Sequence, residues 1–210
     1  MRFGAAKGAI SKQSSAAAGV LRHSSGLDQF CSHLQGAETQ SILDMSGASQ
    51  ANIAFITGLG HRISSDDLIG TMAECFGPDF IEGQQMAANA QRFTDQTLTF
   101  PEASFDGALV WDALQFLTPP LLEHTVEQLL RVMRPGAPML VFFNSDERAT
   151  HLPVLNYRIQ DQKTLLQIPR GGMQRSQHFA NRTVERLFAK AASLKFFLTR
   201  DSLREIIVRV

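Results

Sequence analysis

The chain has 210 residues, of which 44% are hydrophobic and 19% charged. That balance excludes a wholly disordered chain and supplies apolar surface for one large core. Twenty basic residues offset twenty acidic ones, so the net charge calls for neither a nucleic-acid backbone nor an anionic membrane as partner. Two cysteines, Cys31 and Cys75, are too few for a disulfide framework or a four-cysteine metal site. No apolar run is long enough to span a bilayer, and a cytoplasmic protein is the expectation.

In chain order, residues 1–25 read as a flexible or docking arm. They carry Arg2, Lys7, Lys12 and Arg22 and no acid, a composition shared with organellar transit peptides. Residues 26–210 then form one domain. Leu27, Phe30, Cys31 and Leu34 lie at i, i+3, i+4 and i+7, which predicts a helix over about 27–35. From Ser41 onward strand-like and helix-like runs alternate. SILDM is a short strand and QANIAFITGLG a helix, with Ile53, Ile56 and Leu59 striped along it. HRISSDD is a strand closing in acids, and DLIGTMAECFG a helix stopped by Gly77-Pro78. Residues 86–93 are expected to form a further strand.

FDGALVWDAL is a clearer strand. The strongest helix is PPLLEHTVEQLLRVMRPG, opened by Pro119-Pro120 and ended by Pro135-Gly136. PMLVFF is apolar throughout, as a strand buried on both faces should be. Residues 145–180 lack strong periodicity and are expected to form a lid or small hairpin, with a turn at Arg170-Gly171-Gly172. Asn181 is expected to cap a last helix. KFFLTR and LREIIVRV flank Asp201-Ser202 as a closing antiparallel hairpin. Strands alternating with helices imply a parallel sheet covered on both sides.

Three stretches carry a family resemblance. ILDMSGASQANIAFITGLGHRISSDDL, FPEASFDGALVWDALQFL and LLRVMRPGAPMLVFF are similar to segments of class I S-adenosylmethionine-dependent methyltransferases, above all the Arg-Val-x-Arg-Pro-Gly turn entering an apolar strand. The resemblance implies a three-layer α/β, Rossmann-like fold: a seven-stranded, mostly parallel sheet with helices on both faces and an antiparallel C-terminal hairpin strand. It implies S-adenosylmethionine as cofactor. Asp44, Ser46, Gly47 and Ala48 then hold its amino-acid end, Asp67 its ribose hydroxyls and Asp95 its adenine, beside Thr94. Trp111 and Asp112 would line the methyl-transfer site. An acid and a close-turning loop at strand tips suit that task, because a nucleotide-like ligand binds at the carboxyl ends of parallel strands and glycine tolerates positive φ.

The loop departs from the family's three-glycine pattern: Ser46, Ala48 and Gln50 stand at the glycine positions, and Gly47 lies between. Methyl transfer to a small-molecule nucleophile is the leading expectation. A catalytically inactive scaffold or binding module of the same fold is the alternative that the altered loop motivates.

Other motifs carry less. Gly47-Ala48-Ser49 resembles the turn of short-chain dehydrogenases, but the chain's one tyrosine, Tyr157, has Asp161 four residues later rather than the lysine that chemistry needs. Trp111-Asp112-Ala113-Leu114 lacks the Asn/Asp-Pro-Pro-Tyr/Phe signature of amino-directed methylation. The six histidines show no ligand spacing on one helix, so no metal is expected. No general base is assigned.

Overall fold

The computed structural model describes residues 19–197, 199 and 202–210. The part of the expected N-terminal arm that falls on residues 1–18 lies outside the described residues. Residues Val20–His23 form a strand, β1. Helix α1 follows over Ser25–Leu34, its first turn capped by the Ser24 hydroxyl, which accepts from the Leu27 amide at 3.0 Å. Leu27, Phe30, Cys31 and Leu34 are its buried stripe.

The central sheet begins with β2 (Ser41–Asp44), followed by α2 (Gln50–Gly58), β3 (Arg62–Ser65) and α3 (Leu68–Phe76). Two helices come next, α4 (Phe80–Gly83) and α5 (Ala87–Gln96). Strand β4 (Gly107–Trp111) leads through a 3-10 turn at Ala113–Phe116 into α6 (Pro119–Val132) and β5 (Pro138–Asn144). Strands β6 (His151–Ile159) and β7 (Thr164–Arg175) form a long hairpin. Helix α7 (Asn181–Leu187), β8 (Ser193–Phe197) and β9 (Leu203–Arg209) complete the order.

Among the described residues the main sheet has six strands in the order β3-β2-β4-β5-β9-β8. Strands β3, β2, β4 and β5 are parallel, and β9 runs antiparallel to both β5 and β8. The strand expected at residues 86–93 is not formed: Met86 precedes a helix that takes up Ala87–Gln96. Ala87, Ala88, Ala90, Gln91 and Arg92 favour a helix, and a single apolar residue, Phe93, is buried from it. Phe93 packs on Phe76 of α3 with ring centroids 5.1 Å apart.

Alternate residues of β4 and β5 face opposite sides, so the sheet divides two cores. Ala108, Val110, Met139, Val141 and Phe143 join α3, α5, α6 and α7 on one side. Leu109, Trp111, Leu140 and Phe142 join α1, α2 and the hairpin on the other. The central strands are buried on both faces, which explains their unbroken apolar sequences.

A second sheet, β1-β7-β6, is antiparallel throughout. It packs β6 against α2 and β7 against α4. Arg170-Gly171-Gly172, expected as a turn, lies inside β7; the hairpin turns at residues 160–163 instead. Asn181 is the first residue of α7 rather than its cap, and no side chain caps that helix. No side chain caps the 3-10 turn that follows Asp112.

Candidate functional site

Asp44 ends β2 and is fully buried. Its Oδ1 accepts from the Ser46 amide at 3.0 Å, the Ser46 hydroxyl at 2.8 Å and the Trp111 indole N–H at 2.7 Å. Its Oδ2 accepts from the Asn52 amide side chain at 2.7 Å. Burial pushes the carboxyl above the ordinary carboxylate range, opposed by the bonds from Trp111, Asn52 and Ser46.

The loop between β2 and α2 makes its sharp turn at Gly47, with φ of +82°. Ser46, Ala48 and Gln50 all keep negative φ, so the side chains at the family's glycine positions carry no left-handed strain. A Cβ at Gly47 would lie 3.1 Å from the Asp67 carboxylate. The loop therefore presses directly on that acid, and Ser46 and Asp67 form a backbone bridge.

Asp67 sits just past the end of β3, where it caps α3: its Oδ1 accepts from the Gly70 amide at 2.9 Å. Register places Asp44 beside Ser65, so the two acids stand at adjacent strand tips. The Arg170 guanidinium, from β7, grips Asp67 with both nitrogens, Nη1 on Oδ1 at 2.5 Å and Nη2 on Oδ2. Asp66 next to it is also held: its Oδ2 accepts from the Leu98 amide at 2.9 Å, and burial raises its carboxyl.

Trp111 closes β4 at φ +59°, a conformation uncommon for a bulky residue, where the β4–β5 register slips. The twist directs its buried indole toward Asp44. The ring stacks on Tyr157 of β6 at 5.1 Å and meets Phe142 edge-on at 5.6 Å. Asp112 follows, almost wholly buried, with Gln115 Nε2 3.3 Å from its Oδ2. Desolvation pushes its carboxyl up to about 7, against a lowering contribution from the Tyr157 hydroxyl. Burial first, and then Asp112, raise the Tyr157 phenol well above its usual value.

The structure thus brings together Asp44, Ser46, Gly47, Asp67 and Trp111, with Ala48 on the same loop. It does not bring Asp95 to them. Asp95 is exposed on α5, accepting from Gln91 Nε2 at 2.8 Å, and faces a shallow cavity bordered by His124 and Arg131.

Two residues complete the site that local sequence patterns do not single out for these roles. Asn52 links Asp44 to the hairpin: its Nδ2 also donates to the Tyr157 carbonyl at 3.0 Å, and its Oδ1 accepts from the Ile159 amide at 2.8 Å. A polar residue on the buried side of α2 is the one signal the sequence offers for it. Arg170 lies 103 residues from Asp67 and has no local signal.

A polar cavity of about 210 Å³ opens between the N-terminus of α2, at Ser46 and Ala48–Ala51, and Asn156–Arg158 of β6. A larger cavity of about 550 Å³ lies between α6 and residues 177–190, and none of the loop residues borders it. Among the described residues no group of three or more His, Cys, Asp or Glu could hold a metal ion, and no helix is long and apolar enough to cross a membrane.

No protein-family model and no curated relative matches the sequence. Solved structures do match the fold. One is an S-adenosylmethionine-dependent methyltransferase from Methanosarcina mazei, 16% identical over 85% of this chain and 95% of that one, with a TM-score of 0.50. A protein from Pyrococcus horikoshii is 14% identical over 82% of each chain, also at 0.50. The 1,6-didemethyltoxoflavin-N1-methyltransferase of Burkholderia thailandensis, solved with its substrate and S-adenosylhomocysteine bound, is 13% identical over 88% of this chain and 76% of that one, at 0.47. The chain has the Rossmann-like α/β fold of S-adenosylmethionine-dependent methyltransferases.

Proposed function

We propose that the chain binds S-adenosylmethionine across the tips of β2 and β3 and transfers its methyl group to a small-molecule nucleophile. The observation that carries the reading is the pairing of Asp44 with Asp67 at adjacent parallel strand ends, with the Gly47 turn between them. This is where an open α/β sheet binds a nucleotide-like ligand. The likeness to the Methanosarcina mazei protein supports it at the level of the fold.

In this reading Asp44, Ser46, Gly47 and Ala48 hold the amino-acid end of the cofactor. The polar cavity at the N-terminus of α2 lies alongside and offers unpaired backbone N–H groups to a carboxylate. Asp67 accepts both ribose hydroxyls. Asp95 has no part in the set, because it stands apart on α5. The cofactor supplies a methyl group that its sulfonium makes electrophilic. The chain's work is then to orient the acceptor for in-line attack and to exclude water. Trp111 and Asp112, at the end of β4, border the reacting region.

Calorimetric titration with S-adenosylhomocysteine tests the reading. Binding is expected in the wild type and is expected to weaken about tenfold or more in Asp67→Ala, because each lost charge-assisted bond contributes roughly 1.5–3 kcal/mol. Relief from Arg170 acts in the opposite direction but is smaller, since a partly exposed ion pair contributes at most about 1 kcal/mol. Absence of heat at millimolar ligand in both the wild type and Arg170→Ala overturns the reading.

A further inference from the structure

Each carboxylate that the proposed function assigns to the cofactor already has a partner from this chain. Trp111 donates to Asp44, Asn52 joins Asp44 to the β6 backbone, and the Arg170 guanidinium fills both oxygens of Asp67. Gly47 packs close against Asp67: a Cβ there would stand 3.1 Å from its carboxylate. The hairpin that delivers Arg170 is strapped over the strand tips by side chains. Gln174 accepts from the Phe80 amide at 3.1 Å and donates to the Pro78 carbonyl at 2.9 Å, while Arg175 donates to Asp79 at 2.7 Å.

The strap is weakest in its backbone just where Arg170 sits. Pairing between β6 and β7 slips there: Leu155 faces Pro169 and Pro153 faces Met173, so Arg170-Gly171-Gly172 oppose Val154 alone. Extra residues on one strand interrupt the ladder and bend it. Gly171 and Gly172 are exposed, and a Cβ on either would meet nothing within 4 Å. On the other side, Thr164–Gln167 are held by β1. The segment with the fewest ladder bonds therefore carries the ion pair that blocks the acid.

We propose that β7 is an autoinhibitory strap, in which Arg170 occupies the ribose-accepting carboxylate of Asp67 and swings out on the Gly171-Gly172 bulge to admit the nucleoside. The inference rests on the cofactor reading given above and adds to it a closed resting state. Opening is a local equilibrium, so it lowers the apparent affinity by the fraction of chains that are open. An arginine fork suits such a latch, because its two parallel bonds mimic two adjacent hydroxyls on one carboxylate.

The test has two independent arms. Hydrogen exchange is followed on the amides of Ile168 and residues 170–172 in the wild type, Arg170→Ala and Arg170→Lys without ligand. The same proteins are then titrated with S-adenosylhomocysteine. In Arg170→Ala the exchange of Ile168 and 170–172 is expected to rise about fivefold, the most that a partly exposed ion pair sustains, while 164–167 stay unchanged. Affinity is expected to tighten by about the same factor, with Arg170→Lys intermediate. High salt on the wild type is expected to reproduce the faster exchange without any substitution, because it screens the pair. Unchanged exchange in Arg170→Ala and in high salt overturns the strap. Faster exchange with no ligand binding in any of the three proteins leaves the strap standing and removes the cofactor reading instead.

Discussion

At the scale of single residues, burial sets the chemistry. Asp112 faces Gln115 and the Tyr157 hydroxyl, and desolvation holds its carboxyl near 7. The folded protein then binds a proton that the unfolded chain releases near its ordinary value of 3.8. Stability is complete below about 3.8, falls as pH rises, and levels off above about 7. The drop is at most about 4 kcal/mol, from roughly three pK units at 1.36 kcal/mol each. Asp112→Asn is expected to flatten the part of this slope that Asp112 contributes, measured as urea-unfolding free energy from pH 4 to 8. An unchanged slope would show that the carboxyl is not held protonated.

Among elements, one buried acid ties β1 and α1 to the main sheet. Glu205 of β9 pairs with Arg22 at 2.9 Å and accepts from Ser24 Oγ at 3.0 Å and the Gly26 amide at 2.5 Å. Both charged side chains are almost fully enclosed. Removing the acid takes apart a buried, charge-assisted network, so Glu205→Ala is expected to cost about 3–5 kcal/mol. Denaturant midpoints read this directly; a loss below 1 kcal/mol would mean that water reaches Arg22. Gly26 fits here because a Cβ would stand 2.7 Å from Leu140 and 2.9 Å from the Glu205 carboxylate. The strand expected at residues 86–93 is lost at this scale too: an alanine-rich run with a single apolar anchor gains more by burying Phe93 from a helix than by pairing at a sheet edge.

Over the whole molecule, stability is unevenly spread. Strands β4 and β5 lie between two cores and are buried along their full length. Strand β7 is half exposed and leans on side-chain contacts beyond its bulge. Native-state hydrogen exchange is therefore expected to give two tiers, with β4 and β5 amides opening only on global unfolding and the β7 amides of Ile168 and 170–172 opening locally. Equal protection of both groups would show that the hairpin unfolds only with the main sheet.

Much of this architecture is legible in the sequence because its signals are local. The apolar runs of β4 and β5, the proline-opened α6 and the acid-tipped strands β2 and β3 depend on neighbours a few residues apart. The candidate acids Asp44 and Asp67 come from the family resemblance that these segments carry. The rest depends on partners far along the chain: Arg170 on Asp67, Trp111 on Asp44 and Tyr157, Asn52 on the β6 backbone. No periodicity encodes such pairs, because a side chain's partner is fixed by where the sheets lie against one another and not by its spacing from its neighbours. The amino-acid order thus determined which groups line the strand tips, and the tertiary packing decided that those groups are covered, since only the folded hairpin carries a cation to them.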